Sequence, residues 1–245
     1  MLHTKTAPIL GLTAFLAFFG AAACDAGDKT EKPQPPAVSA PQTPAASAAS
    51  ESAPVAVDGY NDIVLGDPKA PLEVVEYASM TCSHCAAFNR EVIPEFKRAY
   101  VDTGKAKYVM RHFVLNGPDL AASMIARCGA TDPKRYYGYI DLFLNRQAQW
   151  IPGWQAIGEP PQDATLAELA LQAKMDIFVR PTGMARDKVE TCLKNDALRN
   201  DLLRRRAEGV EQHQVKGTPT IFINDKLYEG AHTFDEFDKA LRAAM

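Results

Sequence analysis

Apolar residues in the first half of the chain fall into two kinds of pattern. Residues 72–78 and 106–115 are short runs rich in β-branched and aromatic residues, which is typical of buried strands. Between them, Phe88, Val92 and Phe96 recur every four residues, as on one face of a helix. A strand, a helix and a second strand in this order predict a right-handed crossover with two parallel strands.

Two further signals add detail to this predicted strand–helix–strand unit. Residues 60–65 predict a short first strand, followed by a turn at 66–68. Pro94 lies inside the helical pattern, and because it lacks an N–H we expect it to kink the helix or to end its first segment.

From Pro118 to about Gln212 the pattern is helical almost throughout. Helices are predicted over 120–128, 133–147, 165–175, 186–194 and 197–213, with breaks near 132–133, 151–153, 160–161 and 181–183. No strand pattern interrupts this region. The sequence therefore predicts an all-helical insertion over residues 117–213.

Strand patterns return after the helical region. Residues 219–224 and 226–229 predict a hairpin with its turn at 224–225. A last helix follows, for which Thr233 and Glu236 have the spacing of a capping box. The halves 58–116 and 214–245 would then form one α/β domain.

The beginning of the chain has a different composition. Residues 1–23 carry Lys5 and an apolar run over 8–23 that is short for a membrane span, which is typical of a cleaved signal peptide. Cys24 follows immediately, so a lipoprotein-type cut with a lipid on Cys24 is favoured, and an ordinary cleaved signal is the alternative. Residues 24–57 are rich in Ala, Pro and Ser, which predicts a disordered tether.

The net charge of −3 and the absence of a basic stripe with interleaved aromatic residues exclude nucleic acid as a serious partner. The candidate reactive residues are those of the motif Cys82-Ser83-His84-Cys85, which lies between a predicted strand and a predicted helix. A helix N-terminus stabilises a thiolate, so this spacing predicts a redox-active dithiol. Half of a zinc site is the alternative, but a second ligand pair is missing from the sequence, and we expect no metal and no cofactor.

These motifs resemble the DsbA family of periplasmic thiol:disulfide oxidoreductases, which has a thioredoxin fold with a helical insertion. The resemblance covers residues 60–245 and rests on three matches: the Cys82-Ser83-His84-Cys85 motif, Glu76 six residues before it, and Gly217-Thr218-Pro219 before a late strand. It implies an α/β fold of this type. Thr218 differs from the valine of the best-known family member, and threonine also occurs in isomerase-type relatives.

The resemblance also implies roles for individual residues. Cys82 would be the nucleophile, Cys85 the resolving thiol, and His84 a stabiliser of the Cys82 thiolate. Glu76 would be buried and assist proton transfer; its even spacing from Val74 favours burial, since the two share one face of a strand.

Two further site assignments follow from the resemblance. A cis bond before Pro219 would leave the backbone of Thr218 free to pair with a substrate peptide. Cys128 and Cys192 would form a structural disulfide, which some branches of the family carry in this region; a redox-tuning pair is the alternative.

The expected function is donation of the Cys82–Cys85 disulfide to unfolded or reduced exported proteins by a monomeric periplasmic oxidase. A membrane quinone reductase of the DsbB kind would reoxidise it. Two rival functions remain open: a periplasmic isomerase or reductase, and a non-enzymatic copper- or client-binding module on the same scaffold. The C-x-x-C spacing disfavours copper delivery, for which relatives tend to use C-x-x-x-C.

Overall fold

The computed structural model describes residues 60–130 and 132–245. The predicted signal peptide, the tether and the lipidation site at Cys24 lie outside these residues. Within the described part of the chain, no helix combines the length and the apolar character needed to cross a membrane.

A mixed sheet occupies the centre of the described residues. Its spatial order is β1-β3-β2-β4-β5, for the strands Val64–Leu65 (β1), Leu72–Ala78 (β2), Ala106–His112 (β3), Thr220–Ile223 (β4) and Lys226–Leu227 (β5). β2 and β3 are parallel, with Leu72 opposite Ala106 and Ala78 opposite His112, while the other pairs are antiparallel. The predicted parallel pair is confirmed, and the first strand is shorter than expected.

The crossover between β2 and β3 is interrupted near Pro94, as predicted. Helix α1 spans Ser83–Glu91 and α2 spans Ile93–Phe96, followed by a π-helical turn over Lys97–Val101. Pro94 occupies the first turn of α2, where an N–H would have no partner within the helix and its absence is tolerated.

The chain between β3 and β4 is helical, without a strand among its described residues. It comprises α3 (Gly117–Gly129), α4 (Pro133–Asn145), α5 (Gln147–Gln155), α6 (Leu166–Gln172), α7 (Met175–Val179), α8 (Arg186–Leu193) and α9 (Asp196–His213). A 3-10 turn over Arg180–Thr182 follows α7.

The break predicted at 151–153 is wrong, because α5 continues through Pro152. Two buried tryptophans hold this helix in place: Trp150 donates a hydrogen bond to the Phe143 carbonyl at 2.9 Å, and Trp154 packs in the same core. Gly153 lets the helix approach the chain after α6, since a Cβ there would lie 2.4 Å from the carbonyl oxygen of Ala173. Tertiary packing therefore overrides the local helix-breaking signal.

The C-terminal hairpin is confirmed, with Asn224 and Asp225 both at positive φ in its turn. Helix α10, Phe234–Ala244, closes the chain. The predicted capping box is wrong: the Thr233 side chain makes no capping hydrogen bond, and Glu236 pairs instead with Lys239, with 2.6 Å between its Oε1 and the lysine Nζ.

The two faces of the sheet bury separate apolar clusters. Leu72, Val74 and Tyr108 face the larger core, together with the apolar side of α1 and most of the helices after β3. Val75 and Tyr77 face a smaller cluster on the other side. Because β2 and β3 are parallel, their carboxyl ends lie at one edge, where the N-termini of α1 and α3 begin.

Candidate active site

Cys82 is the N-cap residue of α1, directly after the end of β2. Its backbone is extended, and its Sγ accepts a hydrogen bond from the backbone N–H of Cys85 at 3.3 Å. On its other side the thiol donates to the carbonyl oxygen of Thr218 at 3.2 Å. Cys82 is half-buried and Cys85 fully buried, and both are free thiols in this structure.

The surroundings of Cys82 favour its thiolate. The pKa of Cys82 is lowered to about 5, mainly by the hydrogen bond from the Cys85 thiol, with smaller contributions from the Thr218 side chain and from the backbone N–H groups of Cys85 and His84. Partial burial acts in the opposite direction but is outweighed. The helix N-terminus thus supplies the donors that an anionic sulfur requires.

This shift predicts how the stability of the reduced protein varies with pH. Because the pKa of Cys82 is lower in the folded state than in the unfolded chain, its contribution is fully present above the unfolded value and is lost as the pH falls through about 5. We expect the melting temperature of the reduced protein, relative to the oxidised protein, to rise between pH 5 and pH 9. Scanning calorimetry of both forms in the same buffers checks this, and a pH-independent difference would contradict it.

Cys85 has the opposite character. Burial raises its pKa well above the usual range of a thiol, and the hydrogen bond to Cys82 and the negative charge of Glu76 act in the same direction. One sulfur of the pair is therefore a half-buried anion at neutral pH, and the other is a shielded, protonated thiol.

Glu76 lies in the middle of the sheet, on β2 opposite Met110 of β3 and Ile221 of β4. Only 2% of it is exposed; the Tyr108 hydroxyl donates a hydrogen bond to its Oε2, and Oε1 has no partner. Burial, with a smaller contribution from the charge of Cys82, raises the pKa of Glu76 to about 7 against the opposing effect of the Tyr108 hydrogen bond. A carboxyl with this pKa can hold or release a proton at neutral pH.

His84 is exposed on the first turn of α1. The site also contains a histidine that the sequence analysis did not single out, His232, whose ring packs edge-on against Phe88 with 5.5 Å between centroids. Burial lowers the pKa of His232, and so does the nearby charge of His84. His232 lies far from the Cys82–Cys85 motif in sequence, and no spacing signal links it to the motif.

Thr218 and Pro219 approach Cys82 from the loop before β4. The Thr218–Pro219 peptide bond is cis, and the Thr218 carbonyl accepts the Cys82 thiol hydrogen bond. Both residues are partly exposed. The loop therefore presents backbone beside the more exposed sulfur.

Cys128 and Cys192 lie in α3 and α8 and form a disulfide, with 5.5 Å between their Cα atoms. Two other side chains of the helical region, Asp119 and Gln147, contact the backbone just before and at Cys82. No local pattern in the sequence indicates those two contacts. Within 60–130 and 132–245, no group of three or more His, Cys, Asp or Glu residues is placed to hold a metal ion.

Comparison with known proteins agrees with this geometry. A family model described as Thioredoxin matches residues 59–243, so the chain belongs to this thioredoxin family. A Rickettsia conorii protein provisionally named a protein-disulfide oxidoreductase is 30% identical over 185 residues, which cover 76% of this chain and 61% of that protein. Disulfide bond formation protein D of Bacillus subtilis is 23% identical, over 74% of this chain and 76% of that protein. The chain spans about three fifths of the length of the Rickettsia relatives.

Two solved structures are similar to the chain in fold and in sequence. A protein-disulfide isomerase from Novosphingobium aromaticivorans is 29% identical with a TM-score of 0.66, covering 74% of this chain and 96% of that one. The α-DsbA1 protein of Wolbachia pipientis is 26% identical with a TM-score of 0.63, covering 75% and 90%. The predicted thioredoxin fold and the resemblance to DsbA proteins are confirmed.

Proposed function

We propose that the protein is a thiol:disulfide oxidoreductase that introduces disulfide bonds into exported proteins by exchange at Cys82-Ser83-His84-Cys85. The observation that carries this proposal is the asymmetry of the pair: Cys82 is a stabilised thiolate at a helix N-terminus, and Cys85 is a buried thiol one turn further along. The names of the relatives, which refer to protein disulfide chemistry, support the same activity.

The exchange proceeds in two displacements. A substrate thiolate attacks Cys82 Sγ of the oxidised protein, the Cys82–Cys85 bond breaks, and the Cys85 sulfur leaves and takes up a proton. A second substrate thiolate then attacks the substrate sulfur of the mixed disulfide, and Cys82 leaves as a thiolate. The substrate gains a disulfide, and the protein takes up the two electrons that the substrate thiols lose. The low pKa of Cys82 makes it a good leaving group and makes the reduced protein favourable, so the disulfide is a strong oxidant.

Glu76 is suited to transfer the proton of Cys85, since it is buried near that thiol and its pKa is about 7. We expect Glu76→Gln to slow the reaction of Cys85 in reoxidation by about tenfold or more, and to remove an inflection near pH 7 from its rate profile. Stopped-flow reoxidation by glutathione disulfide measures both.

Glu73→Gln is the matched control, because Glu73 lies on the same strand but pairs with Lys107 near the surface. It should leave the rate and its pH profile unchanged. A Glu76→Gln protein with the wild-type profile would remove Glu76 from the mechanism.

The Thr218–Pro219 loop is the proposed substrate-binding element. An extended peptide beside Cys82 can form backbone hydrogen bonds with such a loop, in the manner of strand addition. His84 is proposed to stabilise the thiolate from the exposed side, and the Cys128–Cys192 disulfide to be structural.

The proposal also covers the domain organisation and the location of the whole chain. Residues 1–23 would be a signal peptide and 24–57 a tether, with Cys24 lipidated, so that the domain acts in the periplasm close to a membrane. The domain would consist of 58–116 and 214–245 with the helical insertion 117–213, and would act as a monomer. A quinone reductase of the DsbB kind would return the oxidising equivalents.

The reduction potential of the Cys82–Cys85 pair tests the direction of the reaction. We expect a value between about −120 and −180 mV by equilibration with glutathione, in a Cys24→Ser/Cys128→Ser/Cys192→Ser background that leaves only this pair to titrate. A value near −270 mV would favour the reductase or isomerase, a second candidate supported by the name of the Novosphingobium relative. Stoichiometric copper binding without disulfide transfer would favour the non-enzymatic alternative.

A further inference from the structure

The turn over residues 80–82, between β2 and α1, is held by side chains from the helical region. Asp119, in the first turn of α3, is fully buried, and its Oδ1 accepts a hydrogen bond from the Met80 N–H at 2.8 Å. Its Oδ2 accepts from the Leu115 N–H, also at 2.8 Å. One carboxylate therefore joins the loop after β2 to the loop after β3.

Gln147, the first residue of α5, holds the same turn from another side. Its Nε2 donates to the Met80 carbonyl at 2.8 Å and to the Cys82 carbonyl at 3.0 Å. The N–H and the C=O of Met80 are thus both bound by side chains of the helical region, and so is the carbonyl of the nucleophilic cysteine.

Asn116 adds a third link. As the N-cap of α3 its side chain accepts from the Asp119 N–H at 2.9 Å, and it donates to the Thr81 hydroxyl at 3.1 Å. The Thr81 hydroxyl is in turn 3.1 Å from the Ser79 hydroxyl. The start of α3 and the turn before Cys82 therefore form one connected polar network.

Small displacements of this turn matter for the chemistry of Cys82. Its Sγ accepts a hydrogen bond from the Cys85 N–H at 3.3 Å, and a shift of the turn would lengthen or misalign this bond to the thiolate. Hydrogen bonds weaken steeply with poor geometry. The Asp119 carboxylate depends on its hydrogen bonds as well, because a buried charge is unfavourable unless it is fully hydrogen-bonded. Burial raises the pKa of Asp119 to about 6, and the hydrogen bonds from the Met80 and Leu115 N–H groups act in the opposite direction.

We propose that Asp119 and Gln147 are positioning residues of the exchange reaction, which hold residues 80–82 in the geometry that stabilises the Cys82 thiolate. This inference rests on the proposed exchange at Cys82. It assigns to the helical region a direct part in setting the reactivity of the dithiol, through contacts to the backbone and not to the sulfur itself.

The experiment measures the pKa of Cys82 in three reduced variants from the far-ultraviolet absorbance of the thiolate. Asp119→Asn keeps the shape of the side chain, but its amide can accept from only one of the two N–H groups. Gln147→Met keeps the length of the side chain and removes its donors. Ser123→Ala is the matched control, because Ser123 also bonds to Asp119, at 3.4 Å, but does not touch the turn.

We expect Asp119→Asn and Gln147→Met to raise the pKa of Cys82 by roughly half a unit to one unit each. Since the reduced form then loses stabilisation, the equilibrium with glutathione should move towards the protein disulfide by about three- to tenfold. Ser123→Ala should leave both quantities unchanged.

A purely structural role would lower the melting temperature without moving the pKa of Cys82, and that result in folded variants would overturn the proposal. If Asp119→Asn does not fold, Gln147→Met alone decides. The readout needs no substrate protein, so failure of the wild-type protein to transfer disulfides would contradict the proposed function and not this inference.

Discussion

Replacing Cys85 with serine is expected to stop turnover and to leave the protein trapped as a mixed disulfide through Cys82. Cys82 keeps its half-exposed position and the hydrogen bonds from the backbone N–H groups of residues 84 and 85, so it still attacks a disulfide, although the thiol of Cys85 no longer contributes to its low pKa. Without a second thiol one turn away, the adduct cannot resolve by ring closure, and we expect transfer to a reduced substrate protein to fall by about a thousandfold or more. Non-reducing electrophoresis and mass spectrometry identify the adduct.

Cys82→Ser is the matched control for this experiment. The thiol that remains at the site, Cys85, is completely buried and its pKa is raised, so it should form no adduct under the same conditions. Equal trapping by the two variants would mean that the assignment of nucleophile and resolving thiol is wrong.

Removing the Cys128–Cys192 disulfide is expected to lower the free energy of unfolding by about 4 kcal/mol, from the closure entropy of a loop with a sequence separation of 64. For a domain of this size the melting temperature should fall by roughly 10 °C. The double variant Cys128→Ser/Cys192→Ser should nevertheless keep its exchange activity, because both residues lie outside the site.

The stability measurement is best made in a Cys82→Ser/Cys85→Ser background, where the disulfide between α3 and α8 is the only bond that changes. Urea unfolding followed by circular dichroism gives the difference in free energy. A loss of less than about 1 kcal/mol would show that this bond contributes little to stability, and a loss of exchange activity in the otherwise native protein would favour the redox-tuning alternative.

The features that could be predicted from the sequence are those whose residues lie close together along the chain. The strands β2 and β3 are contiguous apolar runs, and the crossover between them follows from their order. The dithiol is visible as a spacing of two residues. The burial of Glu76 was expected from the family resemblance and favoured by its even spacing from Val74, although Val75 and Tyr77 on the other face of the strand are buried as well.

The predictions that were wrong and the contacts that were missed have physical reasons of two kinds. At Pro152 and Thr233 a local signal was overridden, in one case by the packing of buried tryptophans and in the other by an ion pair that engages Glu236. Asp119 and Gln147 were missed because their partners are distant in sequence: 39 residues separate Asp119 from Met80, and 65 separate Gln147 from Cys82. No window of sequence contains both ends of such a contact.

The buried Glu76 carboxyl has a consequence for the stability of the domain. Its pKa of about 7, against 4.5 in an unfolded chain, means that folding is opposed by about 3 kcal/mol at alkaline pH, and that this penalty disappears below pH 4.5. An uncharged residue of similar shape would make a more stable domain. The proton transfer proposed for Glu76 would therefore come at a cost in stability, which is the trade-off expected where a core position serves a reaction.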